Sequence, residues 1–191
     1  TAGSRSDGIV ELHNTAEVPA NGSLTFVLPN DGWNLGAKPI ITFQNPAGLS
    51  NEATWMPSSR TLVVVVRQPV PASTDVHMVI KGVTAPPSSM AAGQGRVVSM
   101  TKNLKIMDGP SNFTTVAIGV GALRGALRFV PRFATPGVRS TARILFNATG
   151  GVMPRGRIEM VLPNDGWVIG LPTPSVRFLS PPHIILTRPN A

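Results

Sequence analysis

The chain has no cysteine and no tyrosine, only nine acidic residues among 191, and no apolar run longer than the five residues 62–66. Each shortage excludes something. Without cysteine there is neither a disulfide framework nor a thiolate metal site, and thiol chemistry is silent on the compartment. Five apolar residues fall far short of the ~20 that a membrane-spanning helix needs, so no membrane span is expected. Binders of single-stranded nucleic acid stack bases on exposed aromatics. With no tyrosine and most phenylalanines at core-phased positions, nucleic acid is an unlikely partner.

Catalytic and metal constellations are equally scarce. His13, His77 and His183 stand apart in the sequence, and the nucleophile-elbow, HExxH, P-loop and paired Cys/His spacings do not occur. Asp31 and Asp165 are single carboxylates, whereas a calcium site gathers six to eight oxygens. The sequence therefore predicts no enzyme, no metal and no cofactor.

What the chain does have is a repeat. Val27, Leu28, Pro29, Asn30, Asp31, Gly32 and Trp33 recur unchanged as Val161, Leu162, Pro163, Asn164, Asp165, Gly166 and Trp167, 134 residues later. The similarity continues upstream, where residues 18–24 lie over 152–158, and downstream, where 39–43 lie over 174–178 after a one-residue slip. Duplication argues for a structural motif: an inward-alternating strand, then Pro as breaker, Gly for the turn, and Trp as an aromatic plug at the sheet rim.

Glycine and proline, 19 each, punctuate short apolar runs, the pattern of an all-β chain rich in turns. Leu24, Phe26 and Leu28 alternate with polar or smaller residues, as do Val76, Met78 and Ile80; residues 61–67 are β-branched on both faces and read as a central strand. Asp108, Gly109 and Pro110 read as a turn, and the stretch 48–59, with Trp55 in it, as a polar loop. A composition shift at 119–125 divides the chain into a first unit, 1–120, and a partial second unit, 121–191. The second unit has no counterpart of residues 62–66 or of anything downstream of them. A sandwich so truncated exposes an edge and a core, which predicts completion by a following segment or a neighbouring chain. The alternative is one larger sandwich in which the two motif copies pair.

Three segments carry a resemblance: 79–87, 97–108 and 136–167, in that order. Together they resemble the tandem Ig-like β-sandwich repeats of very large secreted proteins in algae and other unicellular eukaryotes, with relatives on bacterial surfaces. The resemblance implies an Ig-like antiparallel sandwich and an extracellular or cell-surface role in filaments, flagellar hairs, walls or surface layers, through self-assembly or neighbouring repeats. It implies no catalytic residues.

Net charge, +8 overall, is concentrated in the second part: residues 109–191 hold nine arginines against Glu159 and Asp165. Arg139 and Arg143 are predicted to share one strand face and Arg155 and Arg157 another, on neighbouring strands. Such a stripe offers planar donors to the carboxylates or sulfates of an acidic polysaccharide. Trp55, unlike Trp33 and Trp167, has no repeat counterpart, which makes it the candidate sugar-stacking aromatic. Asn21, Asn112 and Asn147 head N-glycosylation sequons, and Asn21 sits in a predicted turn.

Overall fold

Period-two alternation of apolar residues becomes ten strands, all paired antiparallel. The structure is a computed structural model that describes residues 1–152, 155–162, 166–170 and 174–179, with backbone alone for 124–126. The strands are β1 (Arg5–Asn14), β2 (Ser23–Val27), β3 (Ile41–Asn45), β4 (Asn51–Met56), β5 (Thr61–Val66), β6 (Thr74–Thr84), β7 (Gly93–Met100), β8 (Ile106–Thr115), β9 (Leu123–Pro131) and β10 (Ala142–Ala148). Among the described residues no α-helix occurs, so none is long and apolar enough to cross a membrane.

Eight strands form two facing sheets, β4-β5-β2-β7-β8 and β1-β6-β3. One core lies between them. Leu24 and Phe26 of β2, Trp55 of β4, and Leu62, Val64 and Val66 of β5 meet Ile41 and Phe43 of β3 and Val76, Met78 and Ile80 of β6, all buried. Burying each such side chain contributes roughly 1.5–3 kcal/mol. The alternating residues of β5, Thr61, Val63 and Val65, are half-buried, as a central strand requires.

β2 sits between β5 and β7, with Leu24 opposite Val64 on one side and Ser99 on the other, and Phe26 opposite Leu62 and Val97. Both of its edges are taken. β2 therefore has no free edge for a further strand.

The expected turn at Asp108, Gly109 and Pro110 is instead the interior of β8. β8 is an edge strand, so Pro110 can lack a donor on the open side, and register shifts opposite Val97–Ser99 and Ser99–Met100 absorb the irregularity. At Gly109, φ is 89°, and an added Cβ would lie 2.7 Å from the Val97 carbonyl oxygen. Only glycine fits there.

β9 and β10 make a separate two-stranded ribbon. The chain divides into compact units Thr1–Gly156 and Arg157–Ala191, so this ribbon, which the repeat arithmetic places in the second copy, belongs with the first unit. Backbone bonds from Ala2 to Gly119 and from Gly151 to Gly3 tie it to the N-terminal segment. The repeat boundary and the boundary of the compact units thus differ.

In the second copy two turn positions keep their backbone and the strand does not form. Asn21 and its counterpart Arg155 both hold left-handed backbone, φ 62° and 68°, and Gly32 and Gly166 both sit at φ 90°. Yet residues 157–162, the counterpart of β2, form no strand. A turn is specified by a few adjacent residues, whereas a strand needs neighbours to receive its hydrogen bonds. β2 has β5 and β7, and among the described residues 157–162 pair with no strand.

Candidate functional site

The first copy of the motif is a corner that carries the chain from one sheet to the other. Leu28 donates its N–H to the Arg60 carbonyl, and Arg60 donates back through Nη1 to the Pro29 carbonyl at 2.7 Å. Asn34 then exchanges two backbone bonds with Thr84 at the end of β6. Between these anchors Gly32 lies against Pro86 and Pro87, where an added Cβ would come within 3.0 Å of the Pro87 ring. Trp33 is half-buried and packs on the core from the rim. Asp31 is exposed, 3.5 Å from Arg60 Nε, an ion pair that screening leaves weak. The residues of the motif therefore serve the corner. In the second copy Pro163, Asn164 and Asp165 lie outside the described residues, and Trp167 is 45% exposed.

Trp55 is not a sugar platform. It lies on β4, only 4% exposed, with Ala53 beside it in the core while Glu52, Thr54 and Met56 face out. The stretch reads as a polar loop because an edge strand with one wet face needs only two apolar residues inward.

The arginines also fall differently from the expected stripe. Arg143 is on β10, but Arg139 precedes the strand, Arg155 is in a turn, and Arg157 is in no strand and pairs with Glu159 at 3.2 Å. Among the described residues the two neighbouring Arg-bearing strands do not form, because 157–162 pair with no strand. A different basic face does form. Arg143 stands opposite Val130 and Arg128 opposite Leu145, so the two arginines lie on one face of the β9–β10 ribbon. Both are exposed, and no acidic residue occurs between Asp108 and Glu159. Nearby, the Arg132 guanidinium lies 5.3 Å from the Phe133 ring centroid, within cation–π range.

All three sequon asparagines are exposed. Asn21 is in a turn, as expected, and its Oδ1 accepts from Arg67 Nη1 at 3.0 Å. Asn112 is on the edge strand β8 and Asn147 on β10.

Two arrangements escaped sequence reasoning. The first concerns histidines that look isolated in the sequence: β1–β6 register sets His13 opposite Asp75, with Nδ1 2.7 Å from Oδ1, and Glu11 opposite His77. The second pair, at 3.6 Å, is too long for a hydrogen bond. His183 lies outside the described residues. The adjoining concavity, about 530 Å³ and lined by Glu11, Asn45, Asp75 and His77 among others, is open to solvent. Among the described residues no three His, Asp or Glu side chains converge as a metal site would require.

The second arrangement is a latch. The Asp108 carboxylate accepts from Thr15 Oγ1, from the Ala16 N–H at 3.0 and 3.2 Å, and from Ser99 Oγ at 3.4 Å. Burial pushes the Asp108 carboxyl up, but these hydrogen bonds outweigh it and hold the group below its ordinary range. On the opposite sheet, Asp7 is lowered by its hydrogen bonds from Lys81 Nζ, at 2.7 Å, and the Gly82 N–H. The sequence signals neither; both depend on segments far apart in the chain.

Compared with protein-family models, curated proteins and solved structures, the chain matches none of them.

Proposed function

We propose that the chain is an extracellular structural repeat, a non-catalytic building block of a surface filament, flagellar hair, wall or surface layer. The observation that carries this reading is the duplicated motif: Gly32 and Gly166 take the same φ, and Asn21 and Arg155 both take left-handed backbone, 134 residues apart. A motif copied at fixed spacing with matching backbone at these positions suits an architecture built by repetition.

We take the sandwich to be Ig-like. In support, β4-β5-β2 and β6-β3 follow the order of strands D-E-B and F-C in the immunoglobulin sandwich. β1 stands in the place of strand G and β7 in the place of strand A. Negative-stain imaging and sedimentation of the chain at rising concentration test the assembly reading: ordered or concentration-dependent assemblies are expected, and dispersed monomers throughout would count against it.

A second reading rests on Arg128 and Arg143, which share a ribbon face in a stretch free of acids. That face suits an acidic polysaccharide. Binding to a uronic or sulfated polymer should weaken steeply with salt and fall when both arginines become glutamine. Binding that salt does not change removes this reading.

A further inference from the structure

The arginine face of the β9–β10 ribbon extends one pair beyond the strands. Register is regular from Arg128–Leu145 through Val130–Arg143 to Pro131–Ala142, and Arg132 then donates its N–H to the Thr141 carbonyl at 2.8 Å, which adds a further pair to the ladder. Because alternate residues share a side, Arg128, Val130 and Arg132 face the same way as Arg143, Leu145 and Thr141. All six are exposed, so this side of the ribbon is open to solvent.

Arg143 is the centre of the group. Val130 lies directly opposite it, and Arg128 and Arg132 stand on the two diagonals, each about 7–8 Å away. Three cations at that spacing repel one another, and no acid answers them. Among the described residues none of the three is in an ion pair, and the stretch between Asp108 and Glu159 holds no acidic residue. A group so arranged draws its counter-charge from outside the chain.

The chemistry of the side chains narrows the anion. Every Lys or Arg position in residues 109–191 is arginine, a planar fork rather than the point charge of lysine. One fork satisfies a carboxylate, whose two oxygens match two parallel N–H groups. A sulfate ester has three terminal oxygens arranged as a pyramid, so it can accept from two or three guanidinium groups at once. Arg143, with an arginine on each diagonal, offers that surplus of donors. The face is flat, and water screens each contact on it, so a single sulfate would be held weakly. A polymer that repeats the group along its length engages all three arginines and gains from the linkage. Val130, Leu145 and Thr141 fill the places between the arginines, where binding of single-stranded nucleic acid would call for aromatic rings.

We propose that Arg128, Arg132 and Arg143 form a binding face for a sulfated polysaccharide, with Arg143 as the central residue and sulfate esters preferred to carboxylates. This rests on the polysaccharide reading above and adds the group recognised and the third arginine.

The test is titration of the full chain, followed by fluorescence anisotropy over a salt series, with labelled dextran sulfate and with polygalacturonate of equal charge per sugar. Dextran sulfate is expected to bind at least about tenfold more tightly, with affinity that falls as salt rises. Arg132→Gln should weaken it about two- to fivefold and Arg143→Gln more than that. Arg139→Gln removes the same charge from an exposed position outside the ladder and should change little. Arg143→Lys keeps the charge, loses the fork and should still weaken binding, with circular dichroism the same for all variants. An equal loss from Arg139→Gln, or full binding by Arg143→Lys, means that charge alone decides and overturns the face. Equal affinity for the two polymers overturns the sulfate preference and leaves the polysaccharide reading standing. No salt-sensitive binding to either removes both. Tighter binding of oligodeoxythymidylate than of dextran sulfate, lost in Arg143→Gln, assigns the face to nucleic acid and overturns the proposal.

Discussion

Thr15 and Asp108, 93 positions apart, share a hydrogen bond in which the threonine Oγ1 donates to the carboxylate. With the Ala16 N–H and Ser99 Oγ on the same carboxylate, this one side chain fastens the loop after β1, a strand of the three-stranded sheet, to β7 and β8 of the five-stranded sheet.

Removing the acceptor should loosen that fastening. Asp108→Ala is expected to lower stability at pH 7 by about 1–2 kcal/mol, the range for charged hydrogen bonds reduced for partial exposure. Asp108→Asn keeps one acceptor and should cost less. The pH dependence has a defined sign. The folded carboxyl titrates below its unfolded value near ~3.9, so its contribution is complete above that pH and is lost as pH falls through the lower folded value. Urea unfolding at pH 7, 4 and 3 should show a shallower acid loss for Asp108→Ala than for the unmodified chain; parallel curves would remove the latch.

Gly22 has no room for a side chain. An added Cβ would lie 2.7 Å from the Met100 carbonyl oxygen and 2.8 Å from that of Pro19, both backbone atoms that cannot swing aside. Gly22→Ala should therefore destabilise by about 2–3 kcal/mol as an overpacking change. Gly36 has nothing within 4 Å of its Cβ site but sits at φ 74°, so Gly36→Ala should cost only the backbone penalty of about 1–2 kcal/mol. Denaturation midpoints that fail to rank Gly22→Ala as the worse of the two would contradict this.

Asn21 holds φ 62° in the turn before β2. Asn21→Gly should be close to neutral, because glycine accepts that backbone and only the Arg67 contact is lost. Asn21→Val should cost about 1–2 kcal/mol more, since a β-branched residue resists the left-handed region. Thermal melts of the two variants give the comparison directly.

Trp55 separates packing from polarity. Its ring fills the core, but its Nε1 is buried without a hydrogen-bond partner. Trp55→Ala should lose about 3–5 kcal/mol through the cavity it leaves. Trp55→Phe removes the unsatisfied N–H along with part of the volume and should cost far less. Equilibrium unfolding of both, together with unchanged polysaccharide binding by Trp55→Phe, checks the assignment of this residue to the core.

The sequence spoke clearly wherever the physics was local. Leu24 and Phe26, Val76 and Met78, and the bend from Pro29 to Gly32 follow from alternation and turn chemistry, and the structure places them as expected. It misled where a neighbour decides the outcome. Trp55 looked exposed because β4 is half wet, and residues 157–162 looked like a strand because their side chains alternate, although alternation cannot supply hydrogen-bond partners. The shared face of Arg128 and Arg143 depends on β9–β10 register, and Asp108 reaches Thr15 only after two sheets have closed. These are long-range relations, absent from any short window.

The position of β2 also governs how the chain can mature as it is synthesised. Its two neighbours, β5 and β7, both come later in the chain. As the N-terminus leaves the ribosome, β2 can be seated on one side only once Val66 has emerged, and on the other only after Met100. Until then Leu24 and Phe26 remain exposed on a nascent chain, open to aggregation or to a chaperone. In a tandem array every copy of this segment would pass through the same interval, so slow elongation just after the VLPNDGW corner would prolong the period of greatest vulnerability.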